Sequence, residues 1–569
     1  MVTTARAVRH RVAARSIVRE LGRGLKDPWR VGPAAIACCV LVPILCLPWL
    51  ALFPEENIWP HLFRTVLPNY VMSTLELMIG VGVGTLLLGV STAWIVTMYH
   101  FPGVRVFAWA LLLPLAMPAY VVAYVYTDLL EFAGPVQSAL RAAFAWNSVK
   151  DYWFPEIRSL GGAVVVMTFV LYPYVYLLAR SAFLEQSVAS LEASRTLGCA
   201  PWRAWWRVAL PSARPAIAVG VALVLMETLN DFGTVDFFGV ASMTTGIYDV
   251  WLNMGNLGGA AQIASVMLVF VVALIMVERS SRRRQRHFGS HPGRRSVHRV
   301  ALVGWHRGAA VSLCTVTVAV GFLLPLSVLA WYSVRNFKQA WTDEFVGYAI
   351  NSFVLASGAA ITTLVLGMGL AYAVRLRAGA WSQAVSRIAS LGYAVPGAVL
   401  AIGVIVPLAA FDNALDGYLR QNWGVSTGLL LSGTAFTIGF AYVVRFLAVA
   451  AGGIEASLGK VTPSMDMAAR TLGVGPGKTF VRVHLPLIRS GMLGAATLVF
   501  VDCMKELPAT LILRPFNFDT LATHLYQFAS DEQIELAALG ALTIVAVGLA
   551  PVVLLSGTMG AGRARVPEK

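Results

Sequence analysis

Long apolar runs separated by short polar ones fill this chain. They lie at roughly 33–53, 72–97, 106–130, 160–182, 213–230, 260–277, 308–331, 350–374, 388–411, 427–450, 489–504 and 535–556. A helix needs about 20 mostly apolar residues to cross a bilayer. The pattern therefore predicts an all-α polytopic membrane protein with about twelve transmembrane helices. Several runs contain Gly and Pro, which membrane helices tolerate. The fifth and eleventh are short and flanked by acidic residues.

Composition agrees with this pattern. The 569 residues are 57% hydrophobic and only 13% charged, where soluble domains carry roughly 25% charged residues. The net charge of +15 sits in short runs between spans, which excludes a nucleic-acid footprint. The most basic block is the linker RSSRRRQRHFGSHPGRRSVHR, Arg279 to Arg299. The positive-inside rule places this linker, the Arg-rich N-terminal arm and the tail on the cytoplasmic side. The arm reads as an amphipathic helix on the inner membrane surface, with a mitochondrial transit peptide as its rival. No h-region with a small-residue cleavage site follows it, so a cleaved secretory signal is not expected. The six Cys form no C-x-x-C pair, so neither a zinc site nor a disulfide framework is suggested.

The linker divides the chain almost in half, and the halves repeat. EASRTLGCAPWRAWWRVALP (Glu192 to Pro211) aligns without a gap on MAARTLGVGPGKTFVRVHLP (Met467 to Pro486), with Arg195/Arg470, Gly198/Gly473 and Pro211/Pro486 coinciding. Upstream, Gly89 pairs with Gly367, Ala93 with Ala371 and Pro118 with Pro396. Two parallel six-helix repeats follow from this, related by an axis along the membrane normal, with a pathway between them. The expected organisation is a basic arm (1–30), a first repeat (31–278), a basic linker (279–300), a second repeat (301–557) and a tail (558–569).

The order Gly477-Lys478-Thr479 invites comparison with a phosphate-binding loop. That loop needs G-x-x-x-x-G-K-[ST] between a strand and a helix. Leu472 stands where the first Gly belongs, and the repeat partner has Trp202 in place of Gly477. The order is therefore incidental. What both halves keep is a helix ended by a Gly able to take positive φ, a second amphipathic piece, and Leu-Pro at the next span. Two copies with one spacing favour a docking element; an amphipathic loop lying on the headgroups is the alternative.

This loop resembles the E-A-A-x-x-x-G loop of permease subunits of ATP-binding-cassette importers. Glu192, Ala193, Ser194 and Gly198 match in the first half, with Ser194 replacing the second Ala. In the second half Ala468, Ala469 and Gly473 match, while Met467 replaces the acid beside Asp466. The resemblance implies that these loops couple the pore to two copies of a separate cytoplasmic ATPase. It also implies a bacterial inner-membrane location and no cofactor on this chain itself, since the partner uses the ATP. The stretches Met226–Gly255 and Met504–Glu532 look like fused permeases of ferric-iron importers, which work with a periplasmic binding protein. Polyamine, thiamine and sulfate permeases are relatives of these. A secondary ion-coupled transporter is the competing class, and a membrane enzyme lacks any nucleophile–base set or metal motif.

Glu227 and Asp231 at the end of the fifth span, and Asp502, Lys505 and Glu506 at the end of the eleventh, are candidates for a translocation pathway. Oxygen donors would suit a hard cation. The alternatives are that Lys505 pairs with Glu506 and that Glu227 caps or packs between helices. Arg180 and Arg445 read as snorkelling anchors near the cytoplasmic face. No cluster with metal-ligand spacing is expected in this chain. The outward loops Phe232–Gly258, Pro508–Ile534 and Glu131–Ser159 are the expected seats for a binding protein, or plugs over the pore mouth.

Overall fold

The computed structural model describes residues 28–54, 57–185, 196, 199–283, 299–377 and 379–561. Most of the basic arm, most of the basic linker and the extreme tail lie outside the described residues, as does the core of the first repeated loop. Among the described residues the chain is helical except for two short strands, Tyr99–His100 and Val300–Ala301, which pair in parallel. Among the described residues eleven helices are long and apolar enough to cross a membrane, or twelve if one bent pair counts as a span. The bent pair is the third expected span, in which Val104–Ala116 and Ala119–Phe144 meet at 90°.

That break has a local cause. Met117 is extended at φ −110°, ψ 123°, because proline disfavours helical backbone in the residue before it, and Pro118, at φ −61°, ψ 144°, starts the helix Ala119–Leu130. Carbonyls freed near the break find donors on another span: Tyr172 donates to Leu111 O at 2.8 Å, and Tyr176 to Ala108 O at 2.9 Å. In an apolar surrounding such groups must be satisfied internally. Pro396 repeats the geometry at φ −56°, ψ 146° and starts Gly397–Trp423, so the ninth span begins later and runs further than the apolar run suggested. The short fifth and eleventh runs are parts of longer helices, Trp205–Asn230 and Gly477–Met504.

Packing gathers the chain into two units: Met1–Phe53 with Ile350–Phe518, and Pro54–Ala349 with Asp519–Lys569. The first span therefore packs within the unit built mainly from the second half, and the last span within the other. In the first unit Pro28–Leu52 lies on Gly397–Trp423, where Gly403 has no room for a Cβ against Pro43. In the second, Ile534–Ala561 lies on Leu324–Arg335 and on Leu113–Ala116, with Gly548 set against Ala116.

The repeated glycines mark one crossing made twice. A Cβ on Gly89 would come within 2.7 Å of Val175 Cβ and 3.0 Å of the Tyr172 carbonyl, and one on Gly367 within 2.9 Å of Ala451 N. Each sits where the second span of its half crosses the fourth. Small residues allow this close approach where no water drives helices together.

Candidate functional site: the repeated loops and the acidic span ends

The second repeated loop is described in full. Its helix, Pro463–Thr471, begins with Pro at the first turn. It ends in a Schellman turn: Gly473 N donates to Arg470 O, Val474 N donates to Ala469 O, and Gly473 sits at φ +72°. The glycine is needed because a side chain at this φ is strained. Leu472–Phe480 follows a helix, not a strand, and Thr479 Oγ1 donates to the Gly475 carbonyl at 3.1 Å. The strand–loop–helix frame of a phosphate loop is absent here.

The loop then enters the next span through a widened turn, Phe480–His484, closed by Leu485 N on Phe480 O. The first half repeats this at Trp205–Ala209, closed by Leu210 N on Trp205 O. Pro211 and Pro486 follow as the second residues of the helices Leu210–Asn230 and Leu485–Met504. Proline cannot donate to the carbonyl four residues back and clashes with it, and the extra residue in the turn relieves the conflict.

One face of Pro463–Thr471 is held against the protein. Asp466 accepts from Arg375 Nε at 3.1 Å and Arg375 Nη2 at 2.8 Å, and its other oxygen is 2.6 Å from His484 Nε2. Burial pushes the Asp466 carboxyl up, but the Arg375 and His484 contacts outweigh it and hold it below the ordinary range. Ala469, one turn on, is buried. The opposite face is open, with Met465, Met467, Ala468 and Arg470 exposed and Leu472 exposed to 80%. In the first copy Glu192, Ala193, Ser194, Arg195 and Gly198 lie outside the described residues.

The acidic span ends share a design. In the first half Asp231 accepts from Thr234 N (2.9 Å), Thr234 Oγ1 (2.9 Å) and Val235 N (3.3 Å), at the start of the short helix Gly233–Phe237. In the second, Glu506 accepts from Ala509 N (3.1 Å), Thr510 N (3.1 Å) and Thr510 Oγ1 (2.9 Å), at the start of Pro508–Leu513. Carboxylates are favoured at helix N-termini, where amides lack partners. Asp231 keeps some exposed surface, yet burial pushes its carboxyl up to about 6, against the Thr234 and Val235 hydrogen bonds. Glu227, half-buried beside it, pushes the same way.

Glu506 has a further partner. Arg445 Nη1 donates to Glu506 Oε1 at 2.8 Å, with both side chains buried. Arg445 thus lies midway along Ala435–Leu458 in a buried ion pair, not at the cytoplasmic rim. Gly397 leaves the space, since a Cβ there would strike both groups. Arg180 is likewise buried, within Leu160–Glu185, so neither arginine snorkels. Lys505 pairs with Asp502 at 2.9 Å instead of Glu506.

Other functional-looking contacts carry no signal in the sequence. Tyr526 donates to Asp236 at 2.7 Å, and Arg158 meets Glu131, Glu532 and the face of Phe237. Two of these join residues 290 and 374 positions apart, and no local spacing announces any of them. Among the described residues no group of three or more His, Cys, Asp or Glu could hold a metal ion.

The doubled helical repeat, with a cytoplasmic-type loop before the fifth span of each half, defines a two-repeat permease of the ATP-binding-cassette importer class. The chain belongs to the family described as "Binding-protein-dependent transport system inner membrane component", which matches residues 85–286 and again 363–559. It is similar to the "Fe(3+)-transport system permease protein FbpB 2" of Haemophilus influenzae, 27% identical over 505 residues, covering 87% of this chain and 90% of that protein. The "Ferric transport system permease protein FbpB" of Actinobacillus pleuropneumoniae is 23% identical over 465 residues, 76% of this chain and 63% of its own length. The "Sulfate transport system permease protein CysT" of Escherichia coli is 28% identical over 192 residues, only 33% of this chain.

Proposed function

We propose that this chain forms the whole translocation pore of an ATP-driven importer for ferric iron. The observation that carries the substrate is the end-to-end similarity to a ferric permease, with both repeats aligned; the sulfate relative aligns over a third of the chain. The span-end chemistry supports the same choice. Glu227 and Asp231, both partly exposed, offer oxygen, the donor that hard cations prefer, whereas Asp502 and Glu506 are engaged by Lys505 and Arg445. Family membership removes the ground for an ion-coupled secondary transporter.

In this reading a loaded periplasmic binding protein docks on the outer segments near Arg158, Phe232–Gly258 and Pro508–Ile534. Two ATPase subunits dock beneath Glu192–Pro211 and Met467–Pro486, with both chain termini and the basic linker on the same, cytoplasmic, side. ATP binding closes the subunits, and the loops carry that motion into the spans, which open alternately outward and inward. The exposed face of Met465, Met467 and Leu472 supports docking into an apolar groove. The fixed inner face supports transmission, because a loop free to slide would transmit nothing. ATP-dependent uptake of ⁵⁵Fe³⁺ from its binding protein, unaffected by excess sulfate, thiamine or spermidine, tests the assignment; inhibition by one of these competitors would transfer it to that substrate.

A further inference from the structure

The second repeated loop is held by side chains that the first half does not repeat in sequence. In the second half, three charged or titratable groups converge. Arg375 ends the long helix Asp343–Leu376, Asp466 lies in Pro463–Thr471, and His484 closes the widened turn into the eleventh span. Arg375 also donates from Nη1 to Leu458 O at 2.8 Å and from Nη2 to Val461 O at 3.0 Å. One guanidinium thus clasps the end of Ala435–Leu458, the turn after it and the loop helix. His484 is buried, and Tyr372 lies against both His484 (5.7 Å between ring centroids) and Phe480 (4.9 Å). Beneath lies an apolar cluster of Ala371, Ile454, Leu458, Val461 and Ile488.

The alignment puts Thr97, Leu191 and Ala209 at the three matching positions of the first half, so the charged set cannot form there. The aromatic packing is common to both halves, since Trp94, which matches Tyr372, lies 6.4 Å from Trp205, which matches Phe480; at Thr97, which matches Arg375, the backbone carbonyl accepts from Arg299 at 3.4 Å.

We propose that Arg375, Asp466 and His484 are positioning residues, a charge latch that locks the second loop helix to three spans and carries coupling motion from that loop into them. This rests on the ATP-driven import reading. A part-buried, multiply hydrogen-bonded carboxylate resists shear in a way that apolar packing does not, because removing one partner leaves the others unpaired. Motion delivered to Met465, Met467 and Leu472 then passes into the spans through Arg375 and His484.

The test uses the full chain with its ATPase subunits and ⁵⁵Fe³⁺-loaded binding protein in proteoliposomes, plus a nitroxide on Met467→Cys in the chain alone with the accessible Cys38, Cys39, Cys46 and Cys199 replaced by Ser. Asp466→Asn is expected to loosen the label and to lower iron moved per ATP hydrolysed by about tenfold while hydrolysis continues; Asp466→Glu, which keeps the charge, is expected to restore both. Unchanged label mobility, or an unchanged iron-to-ATP ratio, in Asp466→Asn would overturn the latch. If the unmutated chain moves no iron with ATP, the import reading fails, and label mobility still decides whether the latch exists.

Discussion

Glu506 shows what a single residue can and cannot reveal in sequence. Its position at a span end marked it as costly and therefore purposeful. Its partner, Arg445, is 61 residues away on another helix, and only the packing joins them. Leaving one member of a buried pair alone costs about 3–5 kcal/mol, whereas replacing both by apolar groups is often neutral. Glu506→Gln is therefore expected to lower the thermal unfolding temperature in detergent markedly, and adding Arg445→Met to recover much of the loss. Additive losses would mean the two groups act independently. Asp231 offers a pH signature. Its carboxyl sits near 6 when folded, against about 4 when unfolded. The folded state therefore holds the proton more tightly, and stability rises as pH falls through 6 towards 4. Wild type should gain more in melting temperature between pH 7 and pH 5 than Asp231→Asn does; equal gains would contradict the assignment.

At the scale of elements, glycine and proline carried most of the legible information. Gly473, Pro118, Pro396, Gly89 and Gly367 were visible as repeats, and each proves to sit at a turn, a break or a helix crossing for a backbone reason. The widened turns at Trp205–Ala209 and Phe480–His484 were not legible, since nothing in WWRVA or FVRVH breaks a helical pattern; the following Pro was the signal. Gly473 has open space around a would-be Cβ but a positive φ, so Gly473→Val strains the turn without a clash. About 1–2 kcal/mol of local strain should leave insertion and folding intact while uncoupling iron uptake from ATP hydrolysis. Gly198→Val is expected to do the same, and transport surviving both changes would remove the loops from the coupling path. Gly367→Val, by contrast, overpacks a crossing at about 1–3 kcal/mol and should appear as reduced folded yield.

At the scale of the whole molecule, the repeat was readable and the grouping of spans was not. The first and last apolar runs look like every other, because in lipid the hydrophobic pattern says that a helix spans, not which neighbour it meets. The packing units therefore exchange their outer spans relative to the sequence halves. The measurement that bears most directly on the account is ATP-dependent ⁵⁵Fe³⁺ uptake into proteoliposomes holding this chain, its ATPase subunits and a ferric-loaded binding protein. Uptake that requires both ATP and the binding protein, and that ignores sulfate, thiamine and spermidine, is the predicted result. Uptake that proceeds without ATP, or no iron uptake alongside robust uptake of a competitor, would contradict it.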